Sequence, residues 1–235
     1  MSAIQQQLAE VLKPVKHVLL DFDGPVCSVF AGLPAADVAH RLREGLLASG
    51  AVLSDKGEAE TDPLALLRLV SDSQPIFTEA ADAALTILEI SAVQMGQPNT
   101  GGELVLQACD RSGRSVSIVS NNSGKAIESY LSGRGLQKHV AGVFGRIPGC
   151  PSLMKPNPRL LFDAMRSTRI NREHCIFIGD AARDVEAGTA AGIPTIGYAN
   201  KPGKMERLSR AGALLVVDSM QEVADTLDRI GRVAN

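Results

Sequence analysis

Two aspartates close an apolar run in the stretch HVLLDFDGPV, residues 17–26. Side chains at i and i+2 of an extended segment share a face, so Asp21 and Asp23 can both point into the crevice beyond the strand's carboxyl end. Two carboxylates this close resist ionising together, and their pKa values separate. That suits one as a nucleophile and the other as a proton donor. In VSNN, residues 119–122, the Ser120 hydroxyl and the Asn121 amide follow an apolar stretch and precede a helix start. Such groups can donate to a phosphate. Lys155 lies in MKPNP. A residue before proline is held extended, so this ammonium can be aimed as a counter-charge to phosphate. In IGDAARD, residues 178–184, Asp180 closes another apolar run and Asp184 lies one helical turn further on. Carboxylate oxygens so placed suit Mg²⁺.

Each cluster alone also has an ordinary structural reading. These are a turn at Gly24-Pro25, a Ser or Asn helix cap, a solvated lysine, and Asp180 capping the helix that carries Asp184. The order of the clusters carries more weight, because each falls at or near a predicted strand end or in the loop that follows it. Competing motifs do not fit. NNSGKA has Val119 where a phosphate-binding glycine loop needs its first glycine, and Ala126 where it needs Ser or Thr. Neither GxSxG nor HExxH occurs. The four histidines, His17, His40, His139 and His174, are scattered.

The elements that must position these residues alternate. Residues 2–13 read as a short amphipathic helix stopped by Pro14. VKHVLLD reads as a buried strand, as do 115–121, 142–146, 175–180, 194–200 and 213–219. Helical patterns fill 124–135, 157–168, 183–191 and 203–211. Strands alternating with helices predict a Rossmann-like α/β core, a parallel sheet with helices on both faces. Residues 28–101 break the rhythm and show no convincing strand. Val38, Leu42 and Leu46 predict one helix, and Leu64, Leu67 and Val70 a second with Pro63 in its first turn. Ala84, Ile87, Leu88 and Ala92 predict a third. The expectation is a core of residues 1–27 and 102–235 with an α-helical cap inserted at 28–101.

The 235 residues suffice for a substantial core. A net charge of −2 and only 3% aromatic residues argue against nucleic acid as a partner. The cysteines, Cys27, Cys109, Cys150 and Cys175, form no CxxC pair. The first twenty residues have no secretory apolar core, and no stretch approaches the ~20 apolar residues that span a bilayer. The expectation is a cytoplasmic protein with free thiols and no membrane contact.

DFDG at 21–24, SNN at 120–122, KP at 155–156 and GDAARD at 179–184 together resemble the haloacid dehalogenase superfamily. The resemblance spans essentially the whole chain and is specifically to Mg²⁺-dependent phosphatases with a helical cap. It implies that Asp21 attacks phosphorus to form a phosphoaspartate, while Asp23 protonates the leaving oxygen and later activates water. Ser120, Asn121 and Lys155 would hold the phosphoryl group. Asp21, Asp180, Asp184 and the Asp23 backbone carbonyl would surround Mg²⁺, with Asp184 a ligand or a partner of one. Pro25 departs from the family, which usually has Thr or Val there, and altered loop geometry is expected. The implied activity is hydrolysis of a small phosphorylated metabolite. A phosphomutase, or a catalytically silent binding protein on the same fold, is the alternative. Charged cap residues that could contact substrate are His40, Arg41, Arg43, Lys56 and Arg68, and the segment SGAVLSDKGEAETDP could reach the site.

Overall fold

The computed structural model describes residues 3–234. The chain opens with helix α1 (Ala3–Leu12) and enters strand β1 (His17–Leu20), followed by the short β2 (Cys27–Ser28). Four helices come next: α2 (Ala35–Ala48), α3 (Asp55–Ala59), α4 (Pro63–Ser73) and α5 (Thr78–Met95). After β3 (Gln97–Pro98) and α6 (Thr100–Arg111) the alternation begins. Its elements are β4 (Ser115–Ser123), α7 (Gly124–Gly133), β5 (Gly142–Arg146), α8 (Arg159–Thr168), β6 (Cys175–Gly179) and α9 (Ala182–Ala191). It ends with β7 (Thr195–Tyr198), α10 (Lys204–Arg210), β8 (Leu215–Val217) and α11 (Met220–Ala234). Of the expected first helix, Ser2 lies outside the described residues.

The main sheet has the order β5-β4-β1-β6-β7-β8, and every pair in it is parallel. This is the α/β fold that the alternating pattern predicts. Strand β1 is central, and all four of its residues are buried. Such a strand needs apolar side chains on both faces. Val18 and Leu20 pack with Ile176, Ile178, Leu106 and Leu227 on one face. Leu19 packs with Phe177, Leu160 and Ala187 on the other. Alternate residues of one strand thus feed two apolar layers, one with α1, α6 and α11 and one with α8 and α9.

The stretch expected to lack strands holds two short ones. β2 and β3 pair antiparallel through Cys27–Pro98 and Ser28–Gln97, so the chain enters and leaves the helical segment side by side. Two-residue strands carry no readable alternation, which is why the pattern missed them. α3 lies in a stretch expected to be loop, and Ser54 caps it by accepting from the Gly57 N–H. In α4 the first-turn position of Pro63 holds, and Asp62 caps the helix by accepting from the Leu64 and Ala65 N–H groups. On α5, Ile87 is 65% exposed, while Ala81, Leu85, Ala92 and Val93 are buried. The buried stripe is offset from the one Ile87 suggested. No described helix is long and apolar enough to cross a membrane.

Candidate active site

The site forms beyond the carboxyl ends of β1, β4 and β6, where three neighbouring strands deliver Asp21, Ser120 and Asp180 to one crevice. Asp21 continues the β1 ladder, its N–H donating to the Ile178 carbonyl at 2.9 Å. Its Oδ1 accepts from the Phe22 N–H at 2.8 Å. The turn after it is tight. Val26 and Cys27 both donate to the Phe22 carbonyl, and Gly24 donates to that of Cys27. None of these bonds needs a donor from Pro25, so proline is accommodated. Gly24 has φ +105°, and a Cβ there would lie 2.3 Å from Asp180 Oδ2. Both the conformation and the close approach demand glycine. Asp23 Oδ1 accepts from the Val29 N–H at 3.0 Å.

Lys155 is 1% exposed. Its ammonium lies 2.9 Å from Asp21 Oδ1 and 2.7 Å from Asp184 Oδ1 and donates to the Val119 carbonyl at 3.1 Å. A buried ammonium is tolerable only when paired in this way. Burial works against its charge, but Asp184 and Asp21 outweigh that and hold its pKa above the usual lysine value. Asn121 grips the Lys155 backbone from both sides, accepting its N–H at 2.7 Å and donating to its carbonyl at 3.1 Å. The amide expected to face phosphate is therefore engaged in placing Lys155. Ser120 is not a helix cap, because Ser123 caps α7 by accepting from the Ala126 N–H. The Ser120 hydroxyl instead meets Asn122, bonding both its N–H and its side-chain oxygen.

Asp180 is not a helix cap either. Its Oδ2 accepts from Asn200 Nδ2 at 2.9 Å and from the Lys204 ammonium. Asp184 Oδ2 accepts from the Ala181 N–H at 3.0 Å at the start of α9. Carboxylate oxygens of Asp21, Asp180 and Asp184 lie within 4.8 Å of one another. Asp184 Oδ1 is buried and faces the Lys155 ammonium at 2.7 Å, with no other partner among the described residues. With all four aspartates ionised, the two lysines leave an excess of two negative charges. This hard-oxygen donor set fits a divalent cation. Burial pushes Asp21 up to about 7, with Asp184 and Asp180 adding to the rise and Lys155 opposing it. Burial likewise pushes Asp23 up to about 6, against the Val29 N–H and with help from Asp180.

A cavity of 200 Å³ collects Asp21, Asp23, Ser120, Asn121, Lys155, Asp180 and Asp184, so the residues expected to carry the chemistry border one space, while none of the charged cap candidates does. Asp62 and Leu64 of the helical segment border it too. Of the charged cap candidates, Arg68 reaches the core, donating to the Lys155 carbonyl at 2.7 Å. Arg43 instead ties down the backbone at Gly57 and Glu60, His40 pairs with Glu44, and Arg41 and Lys56 are exposed. Two partners of Asp180, Asn200 and Lys204, were not anticipated. Asn200 falls just past a strand end, the same signal that marked the aspartates.

A sequence model of haloacid dehalogenase-like hydrolases matches residues 78–198, a stretch that includes Ser120, Lys155, Asp180 and Asp184. The chain belongs to this family. The chain is similar to the N-acetylmuramic acid 6-phosphate phosphatase of Pseudomonas aeruginosa, 28% identical over 92% of this chain and 96% of that protein. The phosphoglycolate phosphatase of Colwellia psychrerythraea is 27% identical over 77% of this chain and 73% of that protein. The crystal structure of CbbY from Rhodobacter sphaeroides with phosphate superposes with a TM-score of 0.67, covering 91% of this chain and 99% of that one at 17% identity. At that identity the likeness concerns the fold.

Proposed function

We propose that the protein is a phosphatase that hydrolyses a small phosphorylated metabolite through a phosphoaspartate on Asp21. The observation that carries the reading is the buried Lys155 ammonium bridging Asp21 and Asp184 beside Asp180, because it joins a nucleophile, a fixed cation and a metal-type donor set in one cavity. Similarity to two phosphatases along most of the chain supports it. Phosphoglycolate and N-acetylmuramic acid 6-phosphate are therefore the first compounds to test.

In this reading the Asp21 carboxylate attacks phosphorus as the ester P–O bond breaks. Asp23 gives its proton to the departing oxygen, a role suited to a carboxyl raised to about 6. Asp23 then takes a proton from water as that water attacks the phosphoaspartate, releasing phosphate and restoring Asp21. Covalent catalysis divides one difficult step into two. Lys155 offsets the repulsion between the carboxylate and the phosphoryl oxygens, and Ser120 donates to one of them. Asp21, Asp180, Asp184 and the Asp23 carbonyl would hold Mg²⁺, which supplies Lewis-acid charge neutralisation when bound. The helical segment at 28–101 acts as a cap, since Phe30, Ala35, Asp62 and Leu64 border the cavity and help exclude water.

Phosphate release from a panel of small phosphate esters, with and without Mg²⁺, tests the reading. Release that requires Mg²⁺ and vanishes in Asp21→Asn is expected. Transfer of the phosphoryl group to another position of the same sugar, with no free phosphate, would mark a mutase instead.

A further inference from the structure

Two cavities meet at Asp23 and Asp180. The smaller holds Asp21, Ser120, Lys155 and Asp184, the groups that address phosphorus. The larger has a volume of 780 Å³ and is bordered by none of those four. Asp23 borders both. A group that protonates the leaving oxygen stands on the leaving-group side of the scissile bond. The larger cavity is therefore the space into which the rest of the substrate extends.

Its wall is cationic. Arg183, Lys201, Lys204 and Arg207 border it, against only Asp23 and Asp180 of opposite sign. Lys204 is committed to Asp180. Arg183 reaches Asp62 only at 3.9 Å. Lys201 and Arg207 are exposed and have no ion-pair partner among the described residues. A lone exposed lysine or arginine is ordinary. Uncompensated cations around one concave wall, next to a phosphoryl site, concentrate anions there. A guanidinium fork also matches carboxylate or phosphate oxygens in pairs.

We infer that the leaving group of the substrate carries a second anionic group, a carboxylate or a second phosphate, held by Lys201 and Arg207 with Arg183 on the same wall. This rests on the phosphoryl-transfer reading of the smaller cavity and adds the substrate class to it.

Two matched pairs of esters test it: 3-phosphoglycerate against glycerol 3-phosphate, and fructose 1,6-bisphosphate against fructose 6-phosphate. The native enzyme with Mg²⁺ is expected to prefer the more anionic member of at least one pair by about tenfold or more in kcat/KM, which corresponds to about 1.4 kcal/mol. The pair that shows the preference identifies the anion. In Lys201→Ala/Arg207→Ala that ratio should collapse, mainly through KM, as expected for loss of binding shared by ground and transition states. No preference in the native enzyme, or one unchanged in the double variant, overturns the inference. Calorimetric titration of the same four compounds into Asp21→Asn, with and without the double substitution, separates the two readings. Charge-selective binding lost in the double variant, with no Asp21-dependent hydrolysis by the native enzyme, leaves the anion subsite standing and removes the phosphatase. Equal hydrolysis and equal binding of both members of each pair does the reverse.

Discussion

At the scale of residues, Asp23 and His17 make separate predictions. A general acid matters most when the leaving group is poor. Asp23→Asn is expected to lower kcat on alkyl phosphates by about 10²–10⁴. p-Nitrophenyl phosphate needs no protonation on leaving, so its first step should survive while hydrolysis of the intermediate slows. Intact-mass spectrometry of Asp23→Asn mixed with that ester should then detect a phosphorylated protein, and its absence would argue against the second role of Asp23. His17 lies on β1, its Nδ1 2.6 Å from Ser115 Oγ and its Nε2 buried without a hydrogen bond. Burial pushes its pKa down to about 4. The folded protein thus keeps it neutral where the unfolded chain, near 6.5, takes up a proton. Its stabilisation is complete above about pH 6.5 and is lost as pH falls toward 4, at most about 3 kcal/mol. The raised carboxyls of Asp21 and Asp23 act in the opposite direction, so a comparison isolates the histidine. Between pH 7.5 and 5, urea denaturation should show the native protein losing more stability than His17→Gln.

At the scale of elements, α5 is tied to the core by a buried charge network. Arg146, at the end of β5, donates to Asp82 at 2.7 Å and to both oxygens of Glu89, at 2.9 and 3.1 Å. It also donates to the Asn121 carbonyl at 3.0 Å. Glu89 in turn accepts from the Ser123 N–H and from Asn122. A helix of the 28–101 segment therefore holds the end of β4, the strand that carries Ser120 and Asn121. Arg146→Met leaves two carboxylates buried without their cation and should cost about 3–5 kcal/mol. Adding Asp82→Asn and Glu89→Gln removes the bare charges and should restore part of the loss in urea denaturation. Equal instability of the single and triple variants would assign the effect to packing instead. None of this network was legible in the sequence, because Asp82 and Glu89 on α5 lie more than fifty positions from Arg146 at the end of β5, and all three look like solvated charges. The sheet was legible, because buried parallel strands such as CIFIG must be apolar on both faces. β2 and β3 were not, being two residues long and held by pairing with each other. Asp21 and Asp180 were readable because each directly follows an apolar strand, a position the local sequence marks, whereas Ser120 and Asn121 lie within the last residues of β4 and Lys155 in the loop before α8. The roles of their partners were not. The engagement of Asn121 with Lys155 spans 34 positions in the chain, and nothing in SNN signals it.

At the scale of the whole molecule, the site gathers segments from across the fold and leaves an electrostatic imbalance where they meet. Asp21 comes from β1, Lys155 from the loop before α8, and Asp180 and Asp184 from the β6–α9 junction. Four aspartates around two ammonium groups repel one another in a site where burial already penalises charge. A divalent cation bound there relieves that repulsion only in the folded state, since the unfolded chain does not bring the three carboxylates together. Mg²⁺ should therefore stabilise the protein by mass action, about 2.7 kcal/mol at a hundredfold excess over Kd. Calorimetry should show the melting temperature rising with Mg²⁺ concentration, and no such rise in Asp180→Asn. Asp184→Asn should behave in the same way, with the further loss of one of the two anions that hold the buried Lys155 ammonium. An Mg²⁺-dependent rise that survives both substitutions would place the cation elsewhere and would separate the phosphoryl site from the carboxylate cluster.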